Sequence, residues 1–438
     1  MIKKSIIDFL IKFIKSKEYN HIRIIYLVAI ISLIIIFPTV LTGTGDTYSY
    51  YYAKDIILSG RFDSLRTPLY PVFLFITYHK IITVLFQWLI FFVSIAFLYK
   101  TLENLKISRR LIFIAMIVYV CHPVFVYYQN HRVPESLCIS LSSVFAYYLV
   151  AFVKTKKISY CWIFHIIMLC LILLKPGCVF LTVIPITLLF YLFFSKRKLA
   201  GSSVFPLFFV LLFLSGYGFI MKKTYGVFGI SSVSDINLYW MLRDQDKIDL
   251  NKIENNEICV FVSHKMDIKY KRFSDYFVEA NAIINQYGWK EFHQTVQGLL
   301  AGNYTSFLFD KTNLNRIKEN MHGFVGRSID DFGFRKQYNT YYTANYFPYF
   351  NFFTLLLILF FYTVLIVKQI YTKRAVPIIS ILFLLSVAAN FSLLVLTAPN
   401  NYGRLIAPSI SIILIVCVQC VEWFVLFIRR EERQFKLS

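Results

Sequence analysis

Charge is scarce in this chain, and negative charge scarcer still. Only 16% of its 438 residues are Asp, Glu, Lys or Arg, and Asp and Glu together number 24. With 58% of residues hydrophobic and a mean hydropathy of +0.60, there is too little polar surface to clothe one or two water-soluble domains. Internal repeats and low-complexity linkers are missing, which excludes a solenoid and a string of tethered modules. Cysteine is sparse where a secreted domain would use it. Cys259 stands by itself in the one long polar stretch, so that stretch has no internal disulfide, and the other cysteines lie in or beside apolar runs. Cys417-x-x-Cys420 has zinc-like spacing, but its apolar helix offers no further ligands and packing is the simpler account.

What the chain has is hydrophobic length. Apolar runs near 24–42, 80–99, 111–128, 136–153, 159–174, 178–194, 203–221, 350–367, 376–396 and 405–427 each approach the roughly 20 residues that cross a bilayer. The 68–79 segment reads as a short interfacial helix leading into the second run. The expected fold is therefore an all-α polytopic membrane protein of about ten transmembrane helices. Its expected domains are an N-terminal bundle over 1–221, an extracytoplasmic domain over 222–349, and C-terminal helices with a cytoplasmic tail over 350–438. The first run has basic residues before it but lacks a small-residue cleavage site, so it is expected to remain as an uncleaved span.

The net charge of +22 could suggest a nucleic-acid partner, but its distribution argues otherwise. From Lys222 to Tyr349 basic and acidic residues nearly balance. The excess sits in short clusters between apolar runs, such as Lys100, Lys106, Arg109 and Arg110; Lys154, Lys156 and Lys157; and Lys196, Arg197 and Lys198. By the positive-inside rule these mark the cytoplasmic face, and ten spans put both termini there. The 43–79 loop, the 129–135 turn, Lys175-Pro176-Gly177, the 222–349 region and the 397–404 turn then lie outside. Helical spacing is expected over 270–287, 289–300 and 312–321, with glycine-bearing loops around 226–234 and 323–333. Asn303-Tyr304-Thr305 matches an N-glycosylation sequon.

The densest polar chemistry follows the first apolar run. Gly45-Asp46-Thr47-Tyr48-Ser49-Tyr50 opens a helix-like stretch that stops near Gly60, and Arg66-Thr67-Pro68-Leu69-Tyr70-Pro71 follows. An ionisable group at a membrane mouth is costly unless it has a use. Asp46 is placed to cap the helix, and the same carboxylate can serve as a general base. Tyr50 lies one turn on along the same face and Lys54 a turn beyond. The Thr67-Pro68 step keeps Arg66 out of a helix, where its planar fork suits a phosphate, although lipid-headgroup contact is the ordinary account. His131, Arg132 and Glu135 cross between the third and fourth runs, with Glu135 in the first turn of a helix. Lys175 and Arg404, the latter beside Tyr402, are outer-face cations against the positive-inside trend, which favours an anionic ligand.

Asp46, Tyr50, Ala53 and Gly60, followed by Arg-Thr-Pro-Leu-Tyr-Pro, resemble the first extracytoplasmic loop of GT-C-fold glycosyltransferases that use polyprenyl-phosphate sugars. That group contains the protein O-mannosyltransferases and the lipid A aminoarabinose transferases. The resemblance covers about 43–76, with weaker echoes at Pro134-Glu135-Ser136-Leu137, Leu174-Lys175-Pro176 and Tyr402-Gly403-Arg404. It implies a GT-C-like fold in a bacterial inner membrane, with the active site on the extracytoplasmic face. Asp46 would be catalytic, and Glu135 is a second candidate. Tyr50, Arg66, Lys175 and Arg404 would bind the donor phosphate, and His131, Arg132 and Tyr402 are candidates for the acceptor side. Many relatives carry a second acidic residue where this chain has Thr47, so a divalent metal would lack a clear ligand set and no cofactor is required.

Such chemistry moves a sugar from a lipid phosphate to an extracytoplasmic glycan, lipid or protein by direct inverting displacement. Two alternatives share the architecture. One is an outer-leaflet polysaccharide polymerase or ligase that transfers whole oligosaccharides. The other is a transporter, which would be expected to concentrate polar groups near the midplane instead of at the mouth.

Overall fold

The computed structural model describes residues 20–36, 45–63, 65–233, 235, 290, 293–294, 297–298, 352–373, 377–397 and 407–435. Among these, 88% are helical and none lies in a strand, so each described site residue sits on a helix or on the turn between two. In chain order the helices are α1 (Asn20–Ile36), α2 (Gly45–Leu58), α3 (Leu69–Thr77), α4 (Lys80–Asn104), α5 (Arg109–Cys121), α6 (Pro123–Asn130), α7 (Pro134–Thr155) and α8 (Ile158–Leu174). A 3-10 turn (Pro176–Thr182) leads into α9 (Val183–Ser195), followed by α10 (Arg197–Tyr225), α11 (Phe352–Lys373), α12 (Ile378–Thr397), a 3-10 turn (Ala407–Ser409) and α13 (Ile410–Phe435).

Four stretches are long and apolar enough to cross a bilayer: Lys80–Asn104, Pro134–Thr155, Pro176–Ser195 and Arg197–Tyr225. Shorter apolar helices accompany them at His21–Ile35, Ile158–Leu174, Leu359–Tyr371, Ile378–Asn390 and Ile410–Leu426. Phe205, Phe208, Leu212 and Phe219 of α10 are exposed, while Ser203, Val210 and Met221 of the same helix are buried. An outward apolar face of that size belongs in lipid, and the protein is a helical membrane protein.

The expected third run is not one helix. It breaks between Cys121 and Pro123, with His122 extended at φ −65 and ψ 120. The reason is local: proline has no N–H to continue the ladder, and its ring drives the preceding residue out of the helical region. The 68–79 segment does form a short helix, α3. The helices expected within 236–349 lie outside the described residues, except for helical positions at 290, 293, 294, 297 and 298.

Helix α7 sits at the centre, packed on α4, α8 and α13. It is buried on nearly all sides, and the small residues Ser136, Cys138, Ser140, Ser142 and Ser143 let neighbouring helix backbones approach closely. Ser143 Oγ meets Ser411 Oγ of α13 at 2.8 Å, and Ser411 also donates to the Ile139 carbonyl at 3.2 Å.

Side-chain pairs fix the helix directions. Gln87 reaches the end of α6 and His131 just after it while Phe97 meets Tyr147, so α4 and α7 run parallel. Glu135 meets Lys175 while Phe152 meets Phe164, so α8 returns antiparallel. The turns at 59–63, 131–133, 175–176 and 226–233 therefore gather at one end. At the other end Ser108 donates to Glu422 at 2.7 Å, and Lys196 lies near enough to Lys156 to help burial hold that ammonium below its ordinary value. The basic clusters thus share one end of the bundle and the polar loop chemistry the other.

Candidate functional site

The site is built on α2 and the turn after it. Helix α2 buries Thr47, Ser49, Tyr50, Ala53 and Ile56 and ends before Gly60, whose φ of +79 is a conformation glycine adopts without strain. The helix opens at Gly45, so Asp46 stands in its first turn instead of just before it, and its side chain lies outside the described set. A carboxylate in that turn is favoured by the helix dipole.

A second carboxylate shapes the return. Asp63 Oδ1 accepts from the backbone N–H of Leu65 at 2.9 Å and of Arg66 at 2.6 Å, a side-chain turn that swings Arg66 back over α2. Arg66 is only 9% exposed; its guanidinium donates from Nε to Ser49 Oγ at 3.0 Å and lies 4.6 Å from the centroid of the Tyr50 ring. An Nη1 contact to the Tyr50 hydroxyl is long, at 3.5 Å. Arg66 is therefore aimed by two consecutive side chains of the Asp46 helix.

Tyr50 connects this corner to the bundle. Its ring meets Tyr70 of α3 edge-on at 5.0 Å, and the Tyr70 hydroxyl donates to Gln87 Oε1 of α4 at 3.2 Å. Gln87 Nε2 in turn donates to the carbonyls of His131 at 2.8 Å and Gln129 at 3.2 Å. Burial first, then the Tyr50 phenol and the Glu135 carboxylate, hold the Tyr70 hydroxyl well above its ordinary pKa, so it stays protonated and donates.

Arg132 closes the far side of α2. Its Nη1 donates to the Tyr51 hydroxyl at 2.9 Å, and its carbonyl accepts from Thr47 Oγ1 at 3.2 Å. Thr47, the position where the family resemblance expects a second acid, is thus a tie between α2 and the 131–133 turn. Lys54 pairs with Asp55 at 3.2 Å and lies 5.3 Å from the Tyr51 ring centroid.

Lys175 and Glu135, read from sequence as a phosphate ligand and a catalytic candidate, are partners: Nζ meets Oε1 at 2.9 Å and both side chains are buried. The pair pins the start of α7 to the turn after α8. His131 stacks on Tyr127 at 3.8 Å between ring centroids, and its Nδ1 lies 2.8 Å from the Tyr127 carbonyl, which fixes the proton on Nδ1. Burial, aided by the Arg132 charge and opposed by that hydrogen bond, holds its pKa down at about 4. His131 is thus a neutral imidazole near neutral pH.

The 222–235 segment covers the Arg66 turn. Tyr225 donates to the Phe62 carbonyl, and Ser231 Oγ donates to the Leu65 carbonyl at 2.6 Å. Tyr402 and Arg404 lie outside the described residues. Among the described residues no three His, Cys, Asp or Glu side chains gather in a form that could hold a metal. Sequence reasoning missed Ser49, Asp63 and Gln87. Asp63, three residues before Arg66, has the spacing of a side-chain turn and was legible; Gln87, in the middle of an apolar run, signals only that a buried amide must have partners.

Comparison with known proteins places the chain beside none of them: no family model matches it, and no curated protein or solved structure shows significant similarity.

Proposed function

We propose that the chain is an integral membrane glycosyltransferase of GT-C-like fold that moves a sugar from a polyprenyl-phosphate donor to an extracytoplasmic acceptor. The reading includes ten spans with both termini inside, in a bacterial cell membrane. The observation that carries it is Arg66, buried at the polar end of the bundle and aimed by Ser49 and Tyr50 of the helix whose first turn holds Asp46.

In this mechanism Arg66 holds the donor phosphate with its planar fork, and Asp46 takes the proton of the acceptor hydroxyl. The acceptor oxygen bonds to the anomeric carbon as the carbon–oxygen bond to phosphate breaks, and the electron pair leaves with the polyprenyl phosphate. A single displacement inverts the anomeric centre. Cationic donors fixed in a low-dielectric mouth favour the charge that develops on the leaving group. Glu135 and Lys175, occupied with each other, are assigned to positioning α7 and not to proton transfer.

The test is turnover of a polyprenyl-phosphate hexose by the purified protein, compared with Asp46→Asn and Arg66→Ala. Asp46→Asn preserves a first-turn polar group and removes the base, so transfer should fall by about 10²-fold or more with folding intact. Wild-type turnover that survives Asp46→Asn removes that residue from the mechanism.

A further inference from the structure

A second polar cluster stands beside the Arg66 turn, and nothing in the mechanism above uses it. Asp235, on the segment that covers the turn, accepts from His293 at 2.7 Å through Oδ2 and from Gln297 Nε2 at 3.0 Å through Oδ1. His293 and Gln297 are four residues apart, each is helical, and both side chains reach the same carboxylate. The Asp235 side chain is 5% exposed, whereas His293 is 34% exposed. The acid is thus enclosed, and the imidazole it orients is partly exposed.

The cluster is anchored to the site by three contacts. Gly226 ends α10 with φ +81, and Lys290 packs so closely there that a Cβ at Gly226 would lie 2.8 Å from the Lys290 Cβ. Tyr225 and Ser231 hold the carbonyls of Phe62 and Leu65, on either side of the Asp63 turn that aims Arg66. Asp235 follows Ser231 by four residues, a reach of at most about 14 Å even in a fully extended chain. The Asp235 N–H donates to the Ser232 carbonyl at 2.9 Å, which folds the segment and shortens that reach. The cluster therefore lies close to the turn that aims Arg66.

The hydrogen bonding sets what the cluster can recognise. A carboxylate only accepts, so His293 Nδ1 carries a proton, and in the neutral ring Nε2 is left with a lone pair. The Gln297 amide N–H points at Asp235, which leaves its carbonyl as the recognising atom. Two acceptors one helical turn apart suit neighbouring O–H donors.

We propose that Asp235, His293 and Gln297 form an acceptor subsite, in which His293 Nε2 and the Gln297 carbonyl bind adjacent hydroxyls of a sugar and present it to the Arg66 mouth. The inference rests on the glycosyltransferase reading and deepens it: it makes the acceptor a hydroxyl-rich glycan. Asp235 is a positioning residue that fixes the imidazole tautomer.

The experiment uses the full-length protein in detergent with an undecaprenyl-phosphate hexose as donor and a panel of methyl hexosides as acceptors. Release of undecaprenyl phosphate to water and transfer to glycoside are measured together, because water needs no sugar subsite. The ratio of the two does not depend on how much protein is folded. His293→Ala and Gln297→Ala should each lower the transfer-to-hydrolysis ratio about tenfold at subsaturating glycoside, the worth of one lost hydrogen bond. The KM for glycoside should rise while the KM for donor stays unchanged. Asp235→Asn, which no longer fixes the tautomer, should lower the ratio in the same direction. An unchanged ratio in both alanine variants overturns the subsite and leaves the glycosyltransferase reading standing, as does wild-type hydrolysis with no transfer to any glycoside. Failure of the wild type to release undecaprenyl phosphate sinks the reading and the subsite together.

Discussion

The guanidinium of Arg66 lies 4.6 Å from the centroid of the Tyr50 ring, and its Nε donates to Ser49 Oγ at 3.0 Å. A helix face and a returning turn thereby fix the direction of a planar cation. Lysine at this position would keep the charge and lose both the fork and the stacking. Arg66→Lys should therefore weaken donor binding, and Tyr50→Leu should do so less severely because the Ser49 contact remains. Isothermal titration with a polyprenyl phosphate measures both, and wild-type affinity in Arg66→Lys would show that only charge matters there.

Glu135 and Lys175 make a different kind of prediction, one of stability. Removing one partner of a buried ion pair strands the other charge, at a cost of about 3–5 kcal/mol, whereas replacing both by apolar groups is often near neutral. Lys175→Met should destabilise the protein strongly, and Glu135→Leu combined with Lys175→Met should recover much of the loss. Thermal unfolding in detergent checks this; a double variant as unstable as the sum of the singles would contradict it.

His131 gives the protein a pH dependence with a definite sign. Burial holds its pKa at about 4 in the fold, below the ordinary value of about 6.5. Between those values the unfolded chain binds a proton that the folded one refuses, so stability falls as the pH drops and levels off below about 4. The shift corresponds to about 3 kcal/mol. His131→Gln should flatten the decline in unfolding temperature between pH 7 and pH 4, and equal declines in the two proteins would show that His131 is not responsible.

Orientation is tested from outside the cell. If the basic clusters face the cytoplasm, a cysteine placed at Asn256, with Cys259 replaced, should react with a membrane-impermeant thiol reagent in intact cells or spheroplasts, and one at Lys156 should not. The reverse pattern would put Asp46 in the cytoplasm and end the lipid-linked glycosyltransferase mechanism.

Membrane character, helical class and the gathering of basic clusters at one end all follow from composition and from run length, because a bilayer demands long apolar segments whatever their partners. The helix that stops before Gly60 and the turn geometry of Arg66 were also legible, since glycine and proline act through their own backbone. Only the tertiary structure could decide that Lys175 belongs to Glu135, that Gln87 ties the end of α6 and His131 to Tyr70, and that Asp235 meets His293. These partners lie 40 or more residues apart, apart from the Gln87–Tyr70 contact, and no local propensity encodes them. A buried polar group demands a partner by its chemistry, but helix packing determines which partner it finds.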